Sequence, residues 1–111
     1  MSNKIITTKI RELNDQLRIT GRGGRIMLTR GVQELGEKKV NNIITAVRLF
    51  NNFTTDNDPY SEHDFAKVIV DNVSVFFKID YYDKSLEFCS PNPADQSITE
   101  RVMTIMLTEE Y

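Results

Sequence analysis

A chain of 111 residues with 40% apolar and 27% charged side chains has the size of one ordinary domain and the composition of a globular one, which excludes disorder and low complexity. No apolar run approaches the roughly 18 residues that span a bilayer, and the start MSNKIITTKIREL is too polar for a signal-peptide core, so a soluble, cytoplasmic protein without membrane association is expected. The single cysteine, Cys89, excludes an internal disulfide and a cysteine-based metal framework, while the net charge of −2 conceals a division: residues 1–48 carry ten Lys or Arg against four Asp or Glu, and residues 49–111 carry four against twelve.

Ile6, Ile10, Leu13 and Leu17 recur at steps of four, three and four, the stripe of an amphipathic helix over about 3–19. GRGGR, residues 21–25, stops it, because Gly21 can take the left-handed conformation that closes helices. Ile26 and Leu28 alternate with Met27 and Thr29, which predicts a short extended piece near 25–29, and Thr29 can cap a helical turn that ends at Gly36. Val40, Ile43, Ile44, Val47 and Phe50 then trace the apolar face of a second helix over about 37–52.

After Phe53 comes TTDNDPYSEHDF, residues 54–65, and the period changes from 3.6 to 2. Phe65 to Val70 reads as a strand, Asp71-Asn72 suits a two-residue hairpin turn, and Val73, Val75, Phe77, Ile79 and Tyr81 alternate along a second strand. A turn at Asp83-Lys84 leads to a third strand at 86–89. SPNPAD, residues 90–95, breaks the sheet. Ser97-Ile98-Thr99-Glu100 has the capping-box pattern, and Ile98, Val102, Ile105 and Met106 predict a last helix over 98–109. The expected architecture is a single α+β domain, residues 1–111: a three-stranded antiparallel meander over about 65–89 with helices at about 3–19, 37–52 and 98–109 on one face.

Four groups of residues invite a functional reading. Asp58, Glu62, His63 and Asp64 combine carboxylates with the only histidine and form a candidate hard-cation or acid/base site, although their spacing lacks the glycine turn and distal glutamate of a calcium loop. Asp56, Asp58, Glu62, Asp64, Asp80 and Asp83, with Tyr82, form a candidate acidic surface for a protein partner. Arg22, Arg25 and Arg30 flank the glycines and form a candidate anion or nucleic-acid contact, without the lysine and hydroxyl residue of a nucleotide loop. Phe76, Lys78 and Tyr82 share the less apolar face of the middle strand, which suits cover by a helix or a protein interface better than base stacking beside Asp80. Cys89 reads as a small buried hydrophobe.

Taken together, GRGGRIMLTRGVQELG, FTTDNDPYSEHDF, FFKIDYYDKSL and SPNPADQSITERVMTIMLTEEY resemble an uncharacterised family of small bacterial proteins, a domain of unknown function common in alphaproteobacteria and often plasmid-borne. The resemblance covers roughly residues 10–111. It departs at Phe77 or its neighbour, where tryptophan is expected, and at Ser61, where glycine is usual. The family carries no activity to transfer, and its residence on mobile DNA implies counter-defence, plasmid maintenance or regulation. The expected function is therefore a non-enzymatic interaction protein with no cofactor, which binds a protein partner through its acidic surface. A small metal-assisted hydrolase built on Glu62, His63 and Asp64, and nucleic-acid binding through the basic first half, are the alternatives.

Overall fold

Helical stripes and glycine stops place the first half of the chain much as predicted. The computed structural model describes residues 3–111. Helix α1 spans Asn3–Thr20 and buries Ile10, Leu13 and Leu17. Gly21 closes it at φ +78 by donating its N–H to the Leu17 carbonyl at 2.8 Å. Gly24 is required for a different reason, since a Cβ there would run into the carbonyl oxygen of Arg101. The extended piece is strand β1, Arg25–Leu28. Thr29 accepts from the Val32 amide and starts the single turn of α2, Arg30–Gln33. Helix α3, Glu37–Leu49, ends three residues before the predicted boundary, because Phe50 turns extended to set its ring edge-on against Phe53 and Phe77 at 4.9 and 5.8 Å.

The hairpin also forms as read. Strands β2, Phe65–Val70, and β3, Val73–Tyr82, pair antiparallel, and Asp71 and Asn72 both take positive φ, the geometry of a type I′ turn. Asn42 of α3 ties down the tip by donating to the Asp71 carboxylate at 2.9 Å.

Two expectations fail beyond Tyr82. Residues 86–89 make a loop with one isolated bridge, between Tyr82 and Cys89. Asp83 turns the chain there by accepting from the amides of Ser85 and Glu87 at 3.1 and 3.3 Å, and Leu86 takes φ +63, which ends any extended run. Cys89 is exposed, not buried.

The second correction is larger. The predicted helix over 98–109 is strand β4, Glu100–Leu107, followed by a 3-10 turn at Thr108–Glu110. The capping box at Ser97 does not form; Asp95 instead accepts from the Ser97 amide and hydroxyl at 3.0 and 2.6 Å and closes a 3-10 turn. Tertiary demand explains the change. β2 covers one edge of β3 only from Val73 to Lys78, and β4 satisfies the other edge from Val75 to Tyr82. A helix in its place would leave those buried amides and carbonyls unpaired. Arg101, Met103 and Ile105 alternate inward, so the period-2 signal was present, but a charged residue at one inward position hid it.

The result is a four-stranded sheet of order β1-β4-β3-β2, with β1 parallel to β4 and the other pairs antiparallel. The fold is α+β, and its helices lie on one face. Leu17, Val32, Ile43 and Val47 from the helices meet Ala66, Phe77 and Ile105 from the sheet in one core. Burying a side chain such as Phe77 contributes about 2–3 kcal/mol. No helix among the described residues is long and apolar enough to cross a membrane.

Candidate functional site

Asn14 and Arg18 sit four residues apart on the buried face of α1, and each gathers a set of polar contacts. The Asn14 carbonyl oxygen accepts from Arg101 Nε at 2.7 Å, and its amide donates to the Tyr81 hydroxyl at 2.8 Å and the Glu62 carbonyl at 3.0 Å. The Tyr81 hydroxyl donates in turn to the Glu62 carboxylate at 2.6 Å. Arg101 is fully buried; it also donates to Gln96 Oε1 at 2.5 Å and to the Pro93 carbonyl, with its guanidinium 5.2 Å from the centre of the Tyr81 ring. Burial lowers its pKa, and burial followed by the bond to Glu62 raises that of Tyr81. Arg18 donates to the carbonyls of Val47, Arg48 and Phe50 at 3.0, 3.2 and 2.8 Å, which caps the C-terminus of α3 with a positive charge.

The 54–64 loop docks on the same helix. Thr54 and Asn57 close its first turn, and Asp58, only 6% exposed, accepts from the His63 amide at 3.2 Å. His63 Nδ1 lies 2.8 Å from Asp15, and Nε2 lies 3.6 Å from Asp58. Its ring stacks on Phe53 at 3.8 Å and 6°. Both Ser61 and His63 hold positive φ, at 58 and 56, where a side chain costs about 1–2 kcal/mol relative to glycine. An open cleft of about 360 Å³ lies between Arg11, Thr54, Thr55, Asp58, Ser61 and His63. Both ring nitrogens face carboxylates, so the imidazole works as a latch between the loop and α1.

Asp64 leaves this loop in another direction. Its carbonyl accepts from the Ile79 amide at 2.8 Å, and its half-buried side chain enters a groove of about 410 Å³ with Asp80, Tyr81, Tyr82, Ser90 and Pro93. The groove exists because β2 begins only at Phe65, opposite Lys78, which leaves the last turns of β3 uncovered until the chain returns at Ser90, whose amide donates to the Tyr81 carbonyl at 3.0 Å. Burial first, and then the carboxylates of Glu62, Asp58 and Asp80, raise the Asp64 pKa. Among the described residues, no cation lies within 4 Å of its carboxylate.

The sequence-derived groups are therefore divided. Asp64, Asp80 and Tyr82 converge on the groove. Asp56 is exposed on the far turn, Asp83 is committed to its own turn, where the Ser85 hydroxyl and nearby amides lower its pKa, and Asp58 and Glu62 serve the latch and the Tyr81 network. Asp58, Glu62, His63 and Asp64 do not surround a common point, and among the described residues no group of three or more His, Cys, Asp or Glu is placed to hold a metal ion. Arg22 is exposed, Arg25 lies 3.8 Å from Glu100, and Arg30 pairs with Glu34 at 2.9 Å; Arg25 and Arg30 stand at opposite ends of β1 and do not form one anion site.

Sequence patterning does not single out Asn14, Asp15, Arg18, Tyr81 and Arg101 as a group. Asn14 and Arg18 carried a usable signal, because they continue the stripe of Ile10, Leu13 and Leu17 on the face that must be buried. Arg101 carried none until the period of β4 was known.

The family profile described as protein of unknown function DUF3768 matches residues 28–110. The chain belongs to this family. No curated protein and no solved structure matches it. The DUF3768 match takes in the loop latch, the groove and Arg101, whereas α1, which supplies Asn14, Asp15 and Arg18, precedes the matched segment.

Proposed function

We infer that this DUF3768 protein is a non-enzymatic interaction protein whose groove at Asp64, Asp80 and Tyr82 receives a lysine or arginine of a basic protein partner. The observation that carries this reading is the state of Asp64: a half-buried carboxylate, surrounded by other carboxylates and without a cation of its own. Such a group gains from a partner's positive charge, and carboxylates in clefts whose pKa is displaced by burial and like charges are candidate functional positions. Tyr82 lies at the same groove and offers an aromatic face to a cation. A basic nucleic-acid-binding protein has the required chemistry and suits counter-defence, plasmid maintenance or regulation on mobile DNA. His63, with both nitrogens turned to carboxylates, gives less support to a hydrolase built on Glu62, His63 and Asp64.

Titration of the isotope-labelled protein with an arginine- and lysine-rich peptide, with a glutamate-rich peptide as control, tests the reading by amide chemical shifts. Saturable shifts are expected at Asp64, Asp80, Tyr82 and Ser90 with the basic peptide alone, weakening with salt and weakened at least tenfold in Asp64→Asn. Shifts spread evenly over the surface, or equal affinity for Asp64→Asn, would overturn it.

A further inference from the structure

The two edges of the sheet differ in how their backbone groups are answered. β1 has four residues, and the Leu28 carbonyl accepts from Gln33 Nε2 at 2.7 Å, so the adjoining turn of α2 covers that edge. β2 is longer, and Asp64 fixes the phase of its hydrogen bonds, because the Asp64 carbonyl accepts from the Ile79 amide of β3 at 2.8 Å. Alternation in an antiparallel pair then turns the N–H and C=O groups of Ala66, Val68 and Val70 toward β3 and those of Phe65, Lys67 and Ile69 away from it. Among the described residues, no backbone group outside β2 bonds to these three. The register runs without a bulge and the strand holds no proline, so neither device that blunts an edge is present.

The chemistry of this edge selects its occupant. A row of outward amides and carbonyls at every second residue is answered by an extended backbone, whereas a helix keeps its bonds within itself. Side chains refine the choice. Phe65, Lys67 and Ile69 share the sheet face without helices, where Phe65 packs on Phe76 at 4.9 Å and Ile69 is 68% exposed. Lys67 is exposed between them, and among the described residues no carboxylate lies within 4 Å of its ammonium. A lysine on an edge strand guards against self-pairing: two β2 strands centred on one another would set Lys67 against Lys67, and like charges directly opposite are destabilising. A strand with Asp or Glu at that position and apolar residues two places to either side complements all three side chains.

We propose that the outer edge of β2 takes an extended segment of a partner protein, of pattern apolar-x-acid-x-apolar, which adds a further strand to the sheet with its carboxylate on Lys67. The groove at Asp64 shares no residue with β2, so the two contacts are separate. The probe is an acetylated, amidated peptide of alternating valine and threonine with a central glutamate; a central lysine makes the control. Amide hydrogen exchange of the isotope-labelled full chain is expected to be fast at Lys67 and Ile69 in the free protein, and to slow there with the glutamate peptide. Ile69→Pro removes an outward N–H, leaves the bonds to β3 in place, and is expected to weaken the peptide about tenfold with an unchanged circular-dichroism spectrum. Lys67→Glu is expected to reverse the preference between the two peptides. Absence of saturable binding at about 1 mM peptide, equal affinity of the wild type for both peptides, or binding that Ile69→Pro leaves unchanged overturns the proposal. So does protection of Lys67 and Ile69 that rises with protein concentration alone, which marks a second copy on the edge.

Discussion

The two polar regions that meet at Tyr81 differ in one respect. Around Asn14 and Arg101 the buried donors and acceptors answer one another, so that Asn14 alone joins α1 to β3, β4 and the 54–64 loop. On the opposite side of Tyr81, in the groove, Asp64 has neighbours of its own sign and no cation. A satisfied network stabilises and specifies a fold, whereas a half-buried carboxylate among like charges lowers stability unless a cation binds it. The contrast gives the first region a structural role and supports the binding role proposed for the second.

The most severe way to break that contrast is Arg101→Ala. Removing the buried cation leaves Asn14, Gln96 and the Pro93 carbonyl without their donor, and a loss of about 3–5 kcal/mol is expected in urea unfolding. A loss below ~1 kcal/mol would show that the network is not structural. His63→Ala comes next. It removes the link from Asp15 to the loop and leaves Asp58 buried, so a loss of about 1–3 kcal/mol is expected, with faster hydrogen exchange at residues 54–64 than elsewhere. Uniform acceleration would place the latch in the global core instead.

Asp64→Asn is expected to act in the opposite direction. The Asp64 carboxyl titrates above its ordinary 3.8 in the folded chain, so the folded state keeps a proton that the unfolded state has already released. Its contribution to stability is present below that value and is lost as pH rises through the folded pKa. The variant should therefore be more stable than wild type at pH 7, by less than about 1 kcal/mol because the groove is open to screening, and the gain should vanish near pH 4. A variant less stable at pH 7 would mean that Asp64 belongs with the satisfied network. The smallest effect is expected for Ser61→Gly, which relieves the φ of 58 and should add about 0.5 kcal/mol to the melting stability, part of the relief being lost to glycine's greater unfolded-state freedom.

Much of the fold was legible because local rules and tertiary packing agreed. The stripe of α1, the stop at Gly21, the Thr29 cap and the Asp71-Asn72 turn each depend on residues close in sequence, and the structure realises all four. Where they disagreed, packing prevailed. ITERVMTIML supports a helical stripe as well as a strand, and the open edge of β3 decided between them. Of the candidate residues, Asp64, Asp80 and Tyr82 stand out by charge and aromaticity and line one groove, but their separation from Asp56, Asp58 and Glu62 is not legible in the sequence, because a loop that bonds to α1 across some fifty positions sorts them.

By itself the sequence determined the class of the fold, both long helices, the hairpin and the acidic character of the second half, since these follow from periodicity, turn chemistry and composition over short windows. Only the tertiary structure decided that the last segment is a strand beside β3, that Arg101 lies buried against Asn14, and that Asp64 meets Asp80 and Tyr82 in one groove. Each of those outcomes depends on hydrogen-bonding groups brought together from distant parts of the chain, where the requirement to satisfy buried polar groups outweighs local preference.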